Sequence, residues 1–199
     1  ELLFHDQTPS YVVSDVMPSL PEVLPFLIIF SPIFAIVAMA FMLSLRIITE
    51  WGNKLNISPT AKPLIAAMIC GIIAIWVPEI LGLGTSTVNL MASGDLEFSK
   101  LLLVLVLKIA MTSLCLGLGF FGGVLSPALF VGIAAGSIVA QILLFAGFDD
   151  YSAILSVAGM AAVSASVIGA PIAIILIILE LTSSYPHAVA AMIAVIICS

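Results

Sequence analysis

Gly122-Gly123-Val124-Leu125-Ser126-Pro127 is a run of helix breakers and helix starters set between two long apolar stretches. Ser126 has the side chain of an N-cap, Pro127 suits the first helical position, and residues 128–145 are apolar enough to continue as a helix. The first N–H groups of such a helix have no acceptor within it, and the macrodipole adds partial positive charge at the same end. The chemistry on offer is capture of an anion by backbone. Val124 and Leu125 would be the donors, with Gly122, Gly123, Ser126 and Pro127 shaping the turn and leaving an ion room to approach. A Gly-Pro kink filled by neighbouring side chains accounts for the same residues without any ion.

Other chemistries find little support. His5 and His187 stand alone, with no HExxH and no GxSxG, which argues against an enzyme. Cys70, Cys115 and Cys198 lie in apolar runs without metal-ligand spacing and read as small hydrophobes, so the sequence calls for no metal and no cofactor. The net charge of -6 comes from few groups, and no basic footprint for nucleic acid is present.

The elements that must carry the breaker are membrane helices. Hydrophobic residues make up 63% of the chain, charged residues only 8%, and the mean hydropathy is +1.36, far too few charges for polar outer faces on a soluble helical core. Residues 1–25, with four prolines, read as an extramembrane connection. Residues 26–49 are long enough to span, with a kink expected at Pro32. Arg46, Lys54 and Lys62 then gather at the next connection and mark the cytoplasmic side. Residues 63–77 form a short apolar piece, residues 79–100 an acidic external loop, and residues 101–116 another helix in which Lys108 is expected to snorkel toward an interface. Gly132 and Gly136 offer a small-residue face for close helix approach. The remaining pieces, 151–168, 171–182 and 187–199, are short and separated by Gly169-Ala170-Pro171 and Ser183-Ser184-Tyr185-Pro186; His187 is expected at an interface. Short broken helices of this kind bring helix ends to a midplane site in transporters. The chain opens on Glu1 and closes inside an apolar run, so a segment of a larger protein is expected.

Four segments in order resemble the CLC chloride channels and proton/chloride exchangers. Gly123-Val124-Leu125-Ser126-Pro127 resembles the family's GxFxP element. Pro78-Glu79-Ile80-Leu81-Gly82-Leu83-Gly84 resembles its PEVLGxG loop. Ala158-Gly159-Met160-Ala161-Ala162 with Gly169-Ala170-Pro171-Ile172 is similar to its AGMAA and RAPL stretch, and Leu179-Glu180-Leu181-Thr182-Ser183-Ser184-Tyr185 to its LE(M/L)TxxY ending. The resemblance implies an all-α polytopic membrane protein with broken and re-entrant helices, the second of two inverted-topology repeats. Residues 26–199 would be the C-terminal half of the transmembrane domain, truncated before its last helix. It further implies chloride transport by a channel or proton-coupled exchanger, with Val124 and Leu125 amides on the anion and Glu180 as a structural buried acid. A homodimer through the last two helices, a lipid surround and a bacterial inner membrane complete the expectation. Leu125 stands where the family usually has Phe, and Gly169 where it has Arg. The family's gating glutamate, filter serine and pore tyrosine fall outside this segment. A different inverted-repeat transporter, taking a small carboxylate at the same helix end, remains the alternative reading.

Overall fold

The computed structural model describes residues 20–81, 85–94 and 96–198. Eight α-helices are described: α1 Leu20–Lys54, α2 Ala61–Trp76, α3 Thr85–Ala92, α4 Phe98–Gly117, α5 Leu125–Phe145, α6 Ser152–Ile168, α7 Pro171–Thr182 and α8 Tyr185–Cys198, with a 3-10 turn at Pro78–Ile80 after α2. No strand occurs among the described residues. By length and composition α1, α4 and α5 can cross a membrane, and α2, α6, α7 and α8 are shorter apolar helices.

The centre of the bundle is the α5–α6 pair, and its closeness is a glycine effect. Added Cβ atoms would stand 2.6 Å from the Gly159 carbonyl oxygen at Gly132 and 2.2 Å from the Leu155 oxygen at Gly136. Only hydrogen at these positions lets the backbones meet, as the small-residue spacing predicts. Ser137 fixes the pair further, with its Oγ 2.8 Å from Ser156 Oγ and 2.8 Å from the Met91 carbonyl oxygen. Around this pair, α1 and α8 bury Leu27, Phe34, Ala190 and Ala194 against Val131, Leu155 and Ala158 on one side. On the other, α3, α4 and α7 bury Met91, Val104 and Ile178 against Phe130, Ile133 and Met160. Helices α1 and α4 run parallel, joined by Ser44 Oγ and Ser113 Oγ at 2.6 Å and by the contact of Gly52 with Gly117.

Several expectations need correction. The first helix begins at Leu20, inside the stretch assigned to an extramembrane connection, and runs through Pro25 and Pro32. Glu22 in its first turn suits the helix dipole, and Val23 and Leu27 reach the core. Residues 1–19, the rest of that connection, lie outside the described residues, as do Gly82, Leu83 and Gly84 of the PEVLGxG-like loop. Residues 79–100 are not all loop, because α3 forms within them. Its Thr, Ser and Asn residues have low helix propensity, and tertiary bonds hold the segment instead: Ser137 binds the Met91 carbonyl in α3, and the Gln141 amide donates to the Leu96 carbonyl just after it. Lys108 does not snorkel. It follows Leu101 and Val104 on the buried face of α4, at the spacing of one helix stripe, and is 5% exposed.

Glu180 is not buried in this chain. Ile174, Ile178 and Thr182 form the inward stripe of α7, and a residue two places from Ile178 turns to the opposite, exposed side. His187 is the reverse case. It shares the inward stripe of α8 with Ala190, Ala191 and Ala194, is 2% exposed, and pairs through Nδ1 with Ser184 Oγ at 2.9 Å.

Candidate anion site

The breaker places a helix end beside a cavity, although the turn is built differently from the sequence expectation. Helix α4 is closed by Gly119 at φ 96°, with the Gly119 N–H donating to Leu116 O at 3.1 Å and the Phe120 N–H to Cys115 O at 3.0 Å. That left-handed residue makes the sharp turn; Gly122 and Gly123 do not adopt positive φ. A Cβ on Gly123 would meet nothing within 4 Å, so this glycine leaves open space beside the helix end.

Helix α5 starts at Leu125, two residues before the expected start, because Val124 already has helical angles (φ -80°, ψ -21°) and its carbonyl accepts the Ala128 N–H at 3.0 Å. Ser126 is therefore a first-turn residue and makes no side-chain cap. Pro127 sits at the third helical position, where its missing N–H removes no ladder bond. The N–H groups of Val124, Leu125 and Ser126 meet no acceptor among the described residues. The first turn thus presents three successive donors at the positive end of a 21-residue helix.

Gly123, Leu125 and Ser126 open onto a cavity of about 400 Å³ whose other walls include Val88 of α3, Phe130 of α5, Met160 of α6 and Leu181 of α7. Behind Phe130 lies Lys108, whose Nζ is 4.4 Å from the ring centroid and donates to the Ile80 carbonyl at 2.9 Å. The buried ammonium adds positive potential behind the apolar wall. The loop itself is open outward, with Phe121, Gly122 and Gly123 exposed and Val124 to Pro127 half-buried.

The structure therefore brings Gly123, Val124, Leu125, Ser126 and Pro127 to one site and leaves Glu180 on the outer face of α7. Gly122 instead lines a neighbouring cavity shared with α2 and α4. The sequence reading missed Ser126 as a donor, Lys108 as a buried cation, and all the walls from α3, α6 and α7. For Lys108 the signal was present, since its spacing from Leu101 and Val104 puts it on the core stripe. The wall residues carry no such signal, being apolar residues among many.

In the stretch that the sequence assigns to an external loop, Glu79 of the 3-10 turn pairs with Lys100 at the start of α4, 2.7 Å apart. The Lys100 hydrogen bond, aided by a backbone N–H, holds this carboxyl below its ordinary range. Together with the Lys108 bond to Ile80, it ties the turn to α4 at two points.

Comparison with known proteins agrees with this architecture. The whole chain, residues 1–199, matches the family described as voltage gated chloride channel. The H(+)/Cl(-) exchange transporters ClcA of Salmonella arizonae and Salmonella newport are 30% identical over 119 residues, 59% of this chain and 25% of theirs. A slow cyanobacterial Cl-/H+ antiporter shares the fold with a TM-score of 0.84 at 24% identity, over 98% of this chain and 47% of that one. A CLC-type fluoride/proton antiporter superposes with a TM-score of 0.74 at 20% identity, over 94% and 46%. The chain thus spans about a quarter of the curated relatives it matches and about half of these two structures. With a family match along its entire length and a fold in agreement, this membrane chain belongs to the voltage gated chloride channel family.

Proposed function

We propose that the chain builds one half of a membrane pathway for chloride, in which the ion is held by the backbone N–H groups of Val124 and Leu125, joined by that of Ser126. The observation that carries this reading is the open first turn of α5, with three donors that meet no acceptor among the described residues, two of them on residues that line a cavity. Partial charges on amides bind an anion tightly enough to replace part of its water and weakly enough to release it, as conduction requires. Lys108, whose Nζ lies against the Phe130 ring that walls the cavity, adds to the positive potential there.

The relatives named as proton-coupled exchangers support coupling of chloride to protons, and a passive channel is the other form of the same function. The exposed breaker loop fits a pathway whose second wall comes from the other inverted half of the same protein. The exposed side of α7 and α8, including Ile172, Leu176 and Ile196, fits a homodimer interface within lipid. A bacterial inner membrane is the matching location, given the ClcA relatives.

The test is chloride efflux from liposomes holding the full-length parent protein, with external pH recorded. Chloride flux that drives protons uphill supports exchange, and chloride flux without protons supports a channel. A folded protein that moves carboxylates and no halide would sink the reading.

A further inference from the structure

A second cavity, of about 240 Å³, borders the breaker loop and gathers three soft donors. Cys70 of α2, Met111 and Cys115 of α4, and Phe121, Gly122 and Gly123 of the loop all line it. Met111 and Cys115 are four residues apart and stand one above the other on the same face of α4. Cys70 comes from a different helix, α2, and lines the same cavity as Cys115. Both thiols are free and half-buried, and both line the cavity. Cys198 is remote from them, with its Sγ bonded to the Ser31 carbonyl at 3.0 Å.

We propose that Cys70, Cys115 and Met111 form a site for a soft monovalent metal ion, with Cu⁺ as the ion whose chemistry fits. Thiol and thioether sulfur select such ions, whereas Mg²⁺ or Ca²⁺ would require carboxylate or carbonyl oxygens and Zn²⁺ a four-ligand set. Among the described residues no carboxylate or imidazole lines this cavity. Charge balance also favours a monovalent ion. One thiol exchanges its proton for Cu⁺ and the proton leaves to water, while the second thiol and the thioether coordinate as neutral donors. The site remains neutral overall, as its apolar walls demand. No oxidation step is involved. The bound ion would cross-tie α2 to α4 directly under the loop that presents the anion donors. The two cysteines are 45 positions apart on separate helices, so the sequence shows no ligand spacing.

The binding measurement is independent of the transport reading and stands whether or not the parent moves chloride. Full-length protein in detergent is titrated anaerobically with Cu⁺ buffered by a chromophoric chelator. The expected result is one ion per chain, with affinity falling on the order of 100-fold or more in Cys70→Ser and in Cys115→Ser, since a direct ligand outweighs the outer partners whose loss costs about 10–100-fold. Cys198→Ser should bind like the parent. In parallel, Cu⁺ should protect Cys70 and Cys115, and not Cys198, from alkylation by a maleimide read by peptide mass. Absence of binding by folded parent, or parent-like binding by the Cys70→Ser, Cys115→Ser double variant, would overturn the proposal.

Discussion

Replacing Leu125 with proline removes one N–H from the proposed anion site and leaves the helix that carries it in place. Leu125 is the first residue of α5, where proline's fixed φ suits the helix and its missing donor breaks no ladder bond. The residue before a proline is pushed away from helical angles, and Val124 is helical, so some local cost is expected. The chain already bears that arrangement two residues on, where Ser126 precedes Pro127 inside the same helix. The lost bond is one to a charged acceptor, worth about 1.5–3 kcal/mol. At about 1.4 kcal/mol per factor of ten, chloride should bind roughly 10- to 150-fold more weakly. Isothermal titration of the full-length parent with chloride reads this directly, with the thermal midpoint as the control for folding. Leu125→Ala keeps the N–H and alters the cavity wall, so it separates the amide from the side chain. A folded Leu125→Pro protein that binds chloride within twofold of the parent, or a Leu125→Ala protein that loses as much affinity, would refute the backbone site.

Two glycines should respond in opposite senses: Gly136→Ala drives a Cβ into the Leu155 oxygen and the Ser156 Cα and should destabilise by about 3 kcal/mol, at the upper end of overpacking costs, whereas Gly71→Ala on α2 meets nothing and should gain about 0.5–1 kcal/mol. Thermal midpoints in detergent check both, and equal shifts would contradict the close α5–α6 approach. Ser137→Ala loses bonds to the Met91 carbonyl and Ser156 hydroxyl and should cost about 1–3 kcal/mol, with faster hydrogen exchange along α3 as the specific sign. The Glu79 carboxyl is held below its ordinary value of 4.5 by Lys100, so its contribution is complete above that value and disappears as pH falls through the lower folded value. With Lys100 half exposed the pair is worth about 0.2–1 kcal/mol, and Glu79→Gln should remove the pH dependence in that acid window and nothing more.

The later half of the fold was legible because its breaks are written in residues with few other uses. Gly169 is left-handed at φ 72° and Pro171 opens α7, so the ends of α6 and α7 fall where Gly-Ala-Pro says they should. Helix α3 was illegible because local propensity opposes it, and the bonds that hold it come from Ser137 and Gln141, some 45 residues downstream. The proposed anion site divides in the same way. Its donors are announced by a glycine and proline pattern that interrupts an apolar run. Its walls are Val88, Met160 and Leu181, three apolar residues from three helices that only the packing selects. Lys108 lies between these cases: hydropathy assigns a lysine to the nearest interface, while its helical spacing assigns it to the core, and the Ile80 carbonyl and Phe130 ring let the spacing win.

An amide site of this kind works only if its helix cannot move. Partial charges fall off quickly beyond the first turn, so a small displacement of α5 would forfeit more binding than the same displacement of a lysine side chain. The chain meets that requirement in the helix carrying the donors. Most of α5 is buried, its glycines lock it to α6, and the polar groups of Ser137 and Gln141 bind backbone carbonyls on the segment that includes α3. By contrast α1 and α2 leave many large apolar side chains exposed, among them Ile36, Met39, Ile75 and Trp76. Rigid packing is thus concentrated on the element proposed to hold the donors ready, whereas α1 and α2, which contribute no wall to that cavity, expose broad apolar surfaces.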